Sequence, residues 1–434
     1  MYWEKEIETL RQNDLSRLQT KRLRSIAERA KSAPYYRECF ERIGIKADAI
    51  KSPKDIRKFP FTTKQTMREH YPYGFLCVDR KETIRLHSSS GTTGNPTVVF
   101  HTRRDIDAWA NLMARSMFSA GVRDRDVFQN ICGYGLFTGG LGFQYGAERL
   151  GCLSIPAGAG NSVRQIKLMR DFGTTVVHTI PSYLGRLFDA FSEQNLDPRR
   201  DTALHTFIVG AEPYTEEHRK RIEEMFGIKA YNSYGLSEMN GPGVGFECTE
   251  QRGLHVWEDA FLVEIIDPET LEPLPDGESG ELVMTTLDRQ AMPIIRFRTR
   301  DLTRILPGPC PCGRTHRRLD RIAGRSDDMF IIKGCNVFPM QIEGILMKIP
   351  EVANNYTIRL ETVDGKDEMI LEVEVKSDWF RSEAACLDRL SDYIVRRVRD
   401  EVLARPVVKL VEAGSLPKPE GKAVRVADKR ADRS

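Results

Sequence analysis

The sequence predicts an α/β protein in two parts: a large N-terminal domain of helix-covered sheets with a barrel-like section, and a small α+β C-terminal domain. Three observations carry this. Strand and helix patterns alternate between residues 105 and 230, and the strands are continuously apolar, as a parallel sheet covered by helices requires. After residue 260 the texture changes to strands and tight turns such as Pro275-Asp-Gly277, which predicts a more antiparallel section. A polar break, Gly324-Arg-Ser-Asp-Asp328, then precedes a strand, a helix, a hairpin pair, a long helix and a last strand. The expected domains are 1–326 and 327–434.

Taken in order, residues 16–31 read as an amphipathic helix with Leu18, Leu23, Ile26 and Ala27 on one face. Thr62 or Thr63 should cap a helix that begins near Lys64. Helices are expected over 105–120, 163–172, 182–192 and 215–226, the last capped by Thr215, and strands over 126–132, 175–179 and 206–210. Gly133 to Gly142 reads as a glycine-rich loop. Further strands are expected at 262–266, 280–286, 293–298 and 302–306. Beyond the polar break, strands are placed at 329–333, 356–360, 369–375 and 407–411, and helices at 341–349 and 382–403. The long helix puts Leu387, Leu390, Ile394 and Val398 on one face.

A chain of 434 residues can bury large cores. Sixty-five Lys+Arg against 62 Asp+Glu is too balanced for a nucleic-acid binder. No apolar run approaches the length of a membrane span, and the start carries acids without an apolar stretch, so neither membrane nor export is expected. Nine cysteines, mostly scattered singly in apolar segments, suit reduced thiols and a cytoplasmic location.

The chemistry begins at an unbroken row of seven hydroxyl-bearing or glycine residues, Ser88 to Gly94, between β-prone flanks. Such a hairpin tip can aim backbone N–H groups and hydroxyls at a phosphate. Proline and a strand follow Gly94 rather than lysine and a helix, which disfavours a P-loop NTPase. Ligands of parallel sheets sit at the carboxyl ends of strands, and each strand here ends in candidate residues: 133–142, 180–182 and 210–213. Tyr134, Phe137, Gly139, Gly140, Ile180, Pro181, Gly241 and Pro242 are candidates for an acyl pocket, since aromatic walls with glycine floors suit a flat ring. Cys248, His255, Cys310 and Cys312 make a tetrahedral zinc set if their segments meet in space. His316 competes for the fourth position, and a turn with buried thiols is the plainer alternative.

Five ordered motifs carry a resemblance: Ser89 to Thr97, Tyr234-Gly-Leu-Ser-Glu238, Arg296-Phe-Arg-Thr-Arg-Asp301, Gly324 to Asp328, and Leu416-Pro-Lys-Pro-Glu-Gly-Lys422. Together they resemble the adenylate-forming (AMP-binding) acyl-CoA synthetases. Gly133-Tyr-Gly-Leu-Phe-Thr-Gly-Gly-Leu-Gly, Tyr145-Gly-Ala-Glu-Arg-Leu-Gly and Cys312-Gly-Arg-Thr-His are similar to the phenylacetate–CoA ligase branch. The resemblance implies that fold and two half-reactions. A carboxylate attacks the α-phosphorus of ATP with Mg²⁺, and coenzyme A then displaces AMP. By the same resemblance Ser89, Ser90, Gly91, Thr92, Thr93 and Gly94 hold the β- and γ-phosphates. Tyr234 lies on adenine, Ser237 on the α-phosphate, and Glu238 on magnesium. Gly210, Ala211, Glu212 and Pro213 line the adenine pocket, while Asp301 and Arg325 take the ribose. Lys422 is the adenylation lysine on a mobile C-terminal lid, Asp327 its hinge, and Lys333 and Gly334 face the pantetheine channel.

Two positions depart from the superfamily pattern: Asn95 stands where many members carry lysine, and Arg300 where glycine is usual. The implied partners are an aryl carboxylic acid, ATP and coenzyme A, with phenylacetate first and indoleacetate, benzoate-type or hydroxycinnamate acids next. A structural zinc is the further cofactor, and a homodimer is left open. Rival readings are an adenylyltransferase acting on a deazaflavin without coenzyme A, and a non-catalytic nucleotide-binding protein.

Overall fold

The computed structural model describes residues 1–44, 47–89, 95–363, 366–417 and 425–430, and its chain forms two compact units. The first comprises Met1–Thr179, Asp197–Ala211 and Lys229–Arg321. Helix Gln12–Ala30 buries Leu15, Leu23, Ile26, Ala27 and Ala30, the expected one-sided stripe, and begins four residues earlier than its periodicity indicates. Thr63 caps helix Lys64–Glu69 by accepting from the Thr66 N–H. Strands β1 (Thr83–Ser88) and β2 (Val98–Thr102) pair antiparallel on either side of the hydroxyl-rich loop.

Next come β3 (Val127–Asn130), β4 (Leu153–Ile155), β5 (Val176–Thr179), β6 (Thr206–Gly210), β7 (Lys229–Leu236), β8 (Gly241–Glu247) and β9 (Leu254–Val256). Then follow β10 (Phe261–Ile266), β11 (Gly280–Thr286), β12 (Phe297–Thr303), β13 (Ile305–Leu306) and β14 (Arg318–Leu319). The main sheet runs β13-β14-β9-β8-β7-β6-β5-β3-β4. From β4 through β7 the pairs are parallel, and from β7 outward through β8 and β9 they are antiparallel. Val176, Val177, Phe207, Ile208 and Val209 are fully buried, which is why these strands read as unbroken apolar runs.

Residues 139–142, expected in a loop, instead open helix Gly139–Leu150. Glycine lowers helix propensity, but here packing overrides it. A Cβ on Gly142 would stand 2.5 Å from the Trp109 ring, and one on Gly146 2.7 Å from Met113, so the helix lies against Arg103–Ser119 as only glycine allows. The barrel-like section holds β10, β11 and β12 in antiparallel succession. The strand expected over 293–298 starts later, at Phe297. Arg296 adopts φ +48°, and the N–H groups of Ile295 and Arg296 are taken by Tyr36 and Thr285 hydroxyls instead of a neighbouring strand.

The second unit comprises Ile180–Leu196, Glu212–Ile228 and the chain from Ile322. Its strands are β15 (Gly324–Arg325), β16 (Phe330–Ile332), β17 (Cys335–Val337), β18 (Val352–Val363), β19 (Lys366–Val375), β20 (Val407–Glu412) and β21 (Val426–Asp428). A mixed sheet, β20-β19-β18-β21, is covered by helix Ala384–Val402 through Leu390, Ile394, Val398 and Val402. Leu387 is only half-buried, so the apolar stripe ends one turn later than expected. Thr215 caps helix Glu216–Phe226. Buried Glu343 ties that helix to the sheet, accepting from the Thr215 N–H at 3.2 Å and the Tyr356 hydroxyl at 3.1 Å. Among the described residues, no helix is long and apolar enough to cross a membrane.

Candidate functional site

At the carboxyl ends of β6 and β7 the expected nucleotide residues become neighbours. Gly210 pairs with Ser233, and a Cβ on Gly210 would stand 2.4 Å from the Ser233 carbonyl. Ala211 then turns with φ +69°. Tyr234, on β7, donates its hydroxyl to Asp301 Oδ2 at 2.6 Å, joining positions 67 residues apart. The Asp301 N–H donates to the Thr299 hydroxyl at 3.1 Å, which fixes the backbone beneath the carboxylate.

Directly after β7, Ser237–Met239 forms a 3-10 turn that buries Glu238. The Thr97 hydroxyl lies 3.4 Å from Glu238 Oε1, and the same hydroxyl is bonded to that of Ser89. Arg289, itself buried, donates to the Glu238 carbonyl at 2.6 Å and pins the turn from behind. A chain of hydroxyls therefore leads from the edge of the loop to a buried carboxylate. Ser90, Gly91, Thr92, Thr93, Gly94 and Lys422 lie outside the described residues.

Several acyl-pocket candidates also meet. The Ser237 hydroxyl is 3.4 Å from that of Thr138, just before Gly139. Gly241 packs on the same threonine: a Cβ there would be 2.3 Å from Thr138 Cβ, and φ is +107°. Its neighbour Pro242 accepts the Trp109 indole N–H at 2.9 Å. Tyr134 is half-buried, and burial pushes its phenol up to about 12. Phe137 is 52% exposed. Gly140 and Gly241 are thus taken up by close backbone packing, whereas the exposed ring of Phe137 leaves its surface open.

The other expected residues belong to the second unit. Ile180 and Pro181 open helix Pro181–Glu193, where Glu212 accepts from the Ser182 N–H at 3.1 Å and Ser182 hydroxyl at 3.0 Å; Pro213 follows. Arg325 forms a two-point ion pair with Asp327, both bonds 2.9 Å. Lys333 and Gly334, with φ +50° and +82°, make the tight turn between β16 and β17.

A second constellation assembles from three segments. The donor atoms of Cys248, His255, Cys310 and Cys312 all lie within 4.8 Å of one another. Cys248 Sγ is 3.7 Å from Cys310 Sγ, and Cys312 Sγ is 3.4 Å from His255 Nε2. His255 Nδ1 faces the His316 carbonyl at 3.3 Å, so its proton sits there and Nε2 keeps its lone pair for the cluster. The Cys312 thiol is held far below its usual range, first by a hydrogen bond from Cys248 and then by His255. Three soft thiols and one oriented imidazole fit a tetrahedral zinc ion. His316 takes no part in the donor set. Its ring accepts the Glu258 N–H at 2.9 Å and donates to the Ile7 carbonyl at 2.9 Å. None of the nine cysteines is in a disulfide.

Sequence reasoning missed Arg289 and the residues that clamp the thiol loop, and it placed Thr97 in a motif without a role. Tyr2 donates to the Cys312 carbonyl at 3.2 Å, and Arg314 pairs with buried Glu8 at 2.6 Å. Glu8 could not be singled out, because Glu4 and Glu6 stand beside it in the sequence and only the fold shows that Glu8 is the buried one of the helix.

Comparison with known proteins now bears on this arrangement. Residues 60–287 match the AMP-binding enzyme family, and residues 334–430 match the AMP-binding enzyme C-terminal domain. The phenylacetate–coenzyme A ligase of Pseudomonas putida is 44% identical over 425 residues, covering 98% of this chain and 95% of that protein. That of Thermus thermophilus is 43% identical over 445 residues, covering 99% of this chain and all of the relative. A crystal structure of 2-hydroxyisobutyryl-CoA ligase with 2-HIB-AMP superposes with a TM-score of 0.92 at 31% identity, covering 100% of this chain and 92% of that one. This chain belongs to the adenylate-forming, AMP-binding enzyme family, among acyl-CoA synthetases.

Proposed function

We propose that the protein is an ATP-dependent aryl-acid–CoA ligase with phenylacetate as its acid. The observation that carries this reading is the pairing of Tyr234 with Asp301 beside the buried Glu238 turn. It brings an aromatic face, a two-oxygen acceptor and a buried carboxylate to one sheet end, in a chain 43% identical to a phenylacetate–CoA ligase along its length. In this reading Tyr234 stacks on adenine with Gly210, Ala211, Glu212 and Pro213 around it, and Asp301 and Arg325 hold the ribose. Glu238 binds Mg²⁺ through a hard oxygen, and Ser237 meets the α-phosphate. Carboxylates are poor acyl donors, so the mixed anhydride supplies the leaving group. Positioning and charge neutralisation then do most of the catalysis. Residues 327–434 form the lid, hinged at Asp327, that carries Lys422 in and later turns Lys333 and Gly334 to the pantetheine of coenzyme A. Nine cysteines without a disulfide support a cytoplasmic setting.

A panel of acids with ATP and coenzyme A, read by AMP release and by the acyl-CoA product, tests this. Phenylacetate should rank first. A preference for long aliphatic acids, or a stable adenylylated product without coenzyme A, would overturn it.

The thiol cluster is proposed to hold a structural zinc that staples the loop 309–316 to the body of the first unit. One zinc per chain is expected in the purified protein, and Cys310→Ser should lose both the metal and several degrees of thermal stability. No zinc, together with unchanged melting in that variant, would end the idea.

A further inference from the structure

Beyond the residues assigned above, one chain of hydrogen bonds runs along the wall given to the acyl group. Cys132 Sγ lies 3.9 Å from His178 Nε2, and His178 Nδ1 lies 2.9 Å from Asn130 Oδ1. Asn130 Nδ2 is 2.9 Å from the Tyr134 hydroxyl and 2.7 Å from the Gly140 carbonyl. The Tyr134 hydroxyl is 2.9 Å from Gln144 Oε1, whose amide nitrogen bonds the Glu148 carboxylate.

Every proton in this chain has a forced direction. The Gly140 carbonyl can only accept, so the Asn130 amide must turn its NH₂ toward it. The Asn130 oxygen then accepts, which puts the His178 proton on Nδ1 and leaves a bare lone pair on Nε2 facing Cys132. His178 is fully enclosed and stacked on Phe143 at 3.6 Å between ring centres. Burial drives its ring down to about 3, so it stays neutral at any working pH and the pattern does not reverse. Tyr134, taking an N–H from Asn130, must give its own proton to Gln144. Its hydroxyl is thereby engaged both as acceptor and as donor.

We infer that Asn130 is a positioning residue for acyl selectivity. One amide group locks the Tyr134 side chain and the first turn of helix Gly139–Leu150 together. The wall then offers its ligand an aromatic face with a fully committed phenol, which favours aryl acids lacking a ring hydroxyl at that point. This rests on Tyr134 lining the acyl site.

The test is Asn130→Asp in the full chain. A carboxylate is the same size but cannot donate to the phenol or to the Gly140 carbonyl. KM for phenylacetate should rise about 10- to 100-fold, KM for ATP should stay within about 2-fold, and the preference for phenylacetate over 4-hydroxyphenylacetate should shrink as the phenol is released. Equal rises in both KM values, or an unchanged acid KM in folded protein, would overturn the inference. Should Asn130→Asp fail to fold, Gln144→Leu removes the phenol's acceptor from a more exposed position. The same narrowing of acid preference is expected there, and its absence counts against the proposal. Tyr134→Ala separates the two levels: an unchanged acid KM in that variant sinks the pocket assignment itself, whatever Asn130 does.

Discussion

Lys422→Ala is expected to slow acyl-adenylate formation by about 10²- to 10³-fold while nucleotide affinity changes only a few-fold. Negative charge moves onto the α-phosphate oxygens only as the carboxylate attacks, so an ammonium delivered there acts on the transition state and hardly on the bound ground state. Kinetically, kcat and kcat/KM should fall together. Pyrophosphate release measures the loss, and titration with ATP measures the retained binding. Glu238→Gln should give the contrasting signature, because the proposed magnesium ligand is weakened and the magnesium requirement should rise, which the lysine variant should leave unchanged. Wild-type rates in Lys422→Ala would remove the adenylation assignment.

The second large effect concerns stability. Arg296 and Glu264 form a buried fork, with Nε–Oε2 and Nη2–Oε1 both 3.0 Å and side chains only 6% and 8% exposed. The same guanidinium donates to the carbonyls of Arg57 and Phe59 and lies 3.9 Å over the Phe61 ring. Glu264→Ala strands this cation without a counter-charge, and about 3–5 kcal/mol of stability should go with it. Urea unfolding followed by the fluorescence of buried Trp109 and Trp257 reads the first unit directly. Replacing both partners, as Arg296→Met/Glu264→Leu, should recover part of the loss. It cannot recover all of it, because the two backbone carbonyls lose their donor. A loss under about 1 kcal/mol in Glu264→Ala would mean that water reaches the fork.

How far the amino-acid string discloses this molecule depends on the kind of signal. β6 was readable to the residue because Phe207, Ile208 and Val209 are β-prone and buried on both faces. Strand β8 was hidden, since Gly241, Gly243 and Gly245 disfavour a strand when read locally, and so was the continuation of β7 through Gly235. Only the fold reveals why they are there: a Cβ on Gly235 would stand 2.0 Å from the Gly241 carbonyl. The thiol cluster was readable as residue types, but its choice of His255 over His316 required the strand pairing that sets Arg318 opposite His255. Asn130 and His178 left no trace, because a single polar residue at the end of an apolar strand has no period to betray it, and Arg289 in the loop after β11 had none either.

The threonine that bridges Ser89 and Glu238 owns a single proton and has two claimants for it. A cation seated on Glu238 would compete for the oxygen that Thr97 now addresses, and the freed hydroxyl would swing toward serine. Ser89 would in turn have its own hydrogen to give elsewhere. If magnesium is the ion that Glu238 takes, as proposed, then whatever it does for phosphate affinity, phosphate must do equally for magnesium.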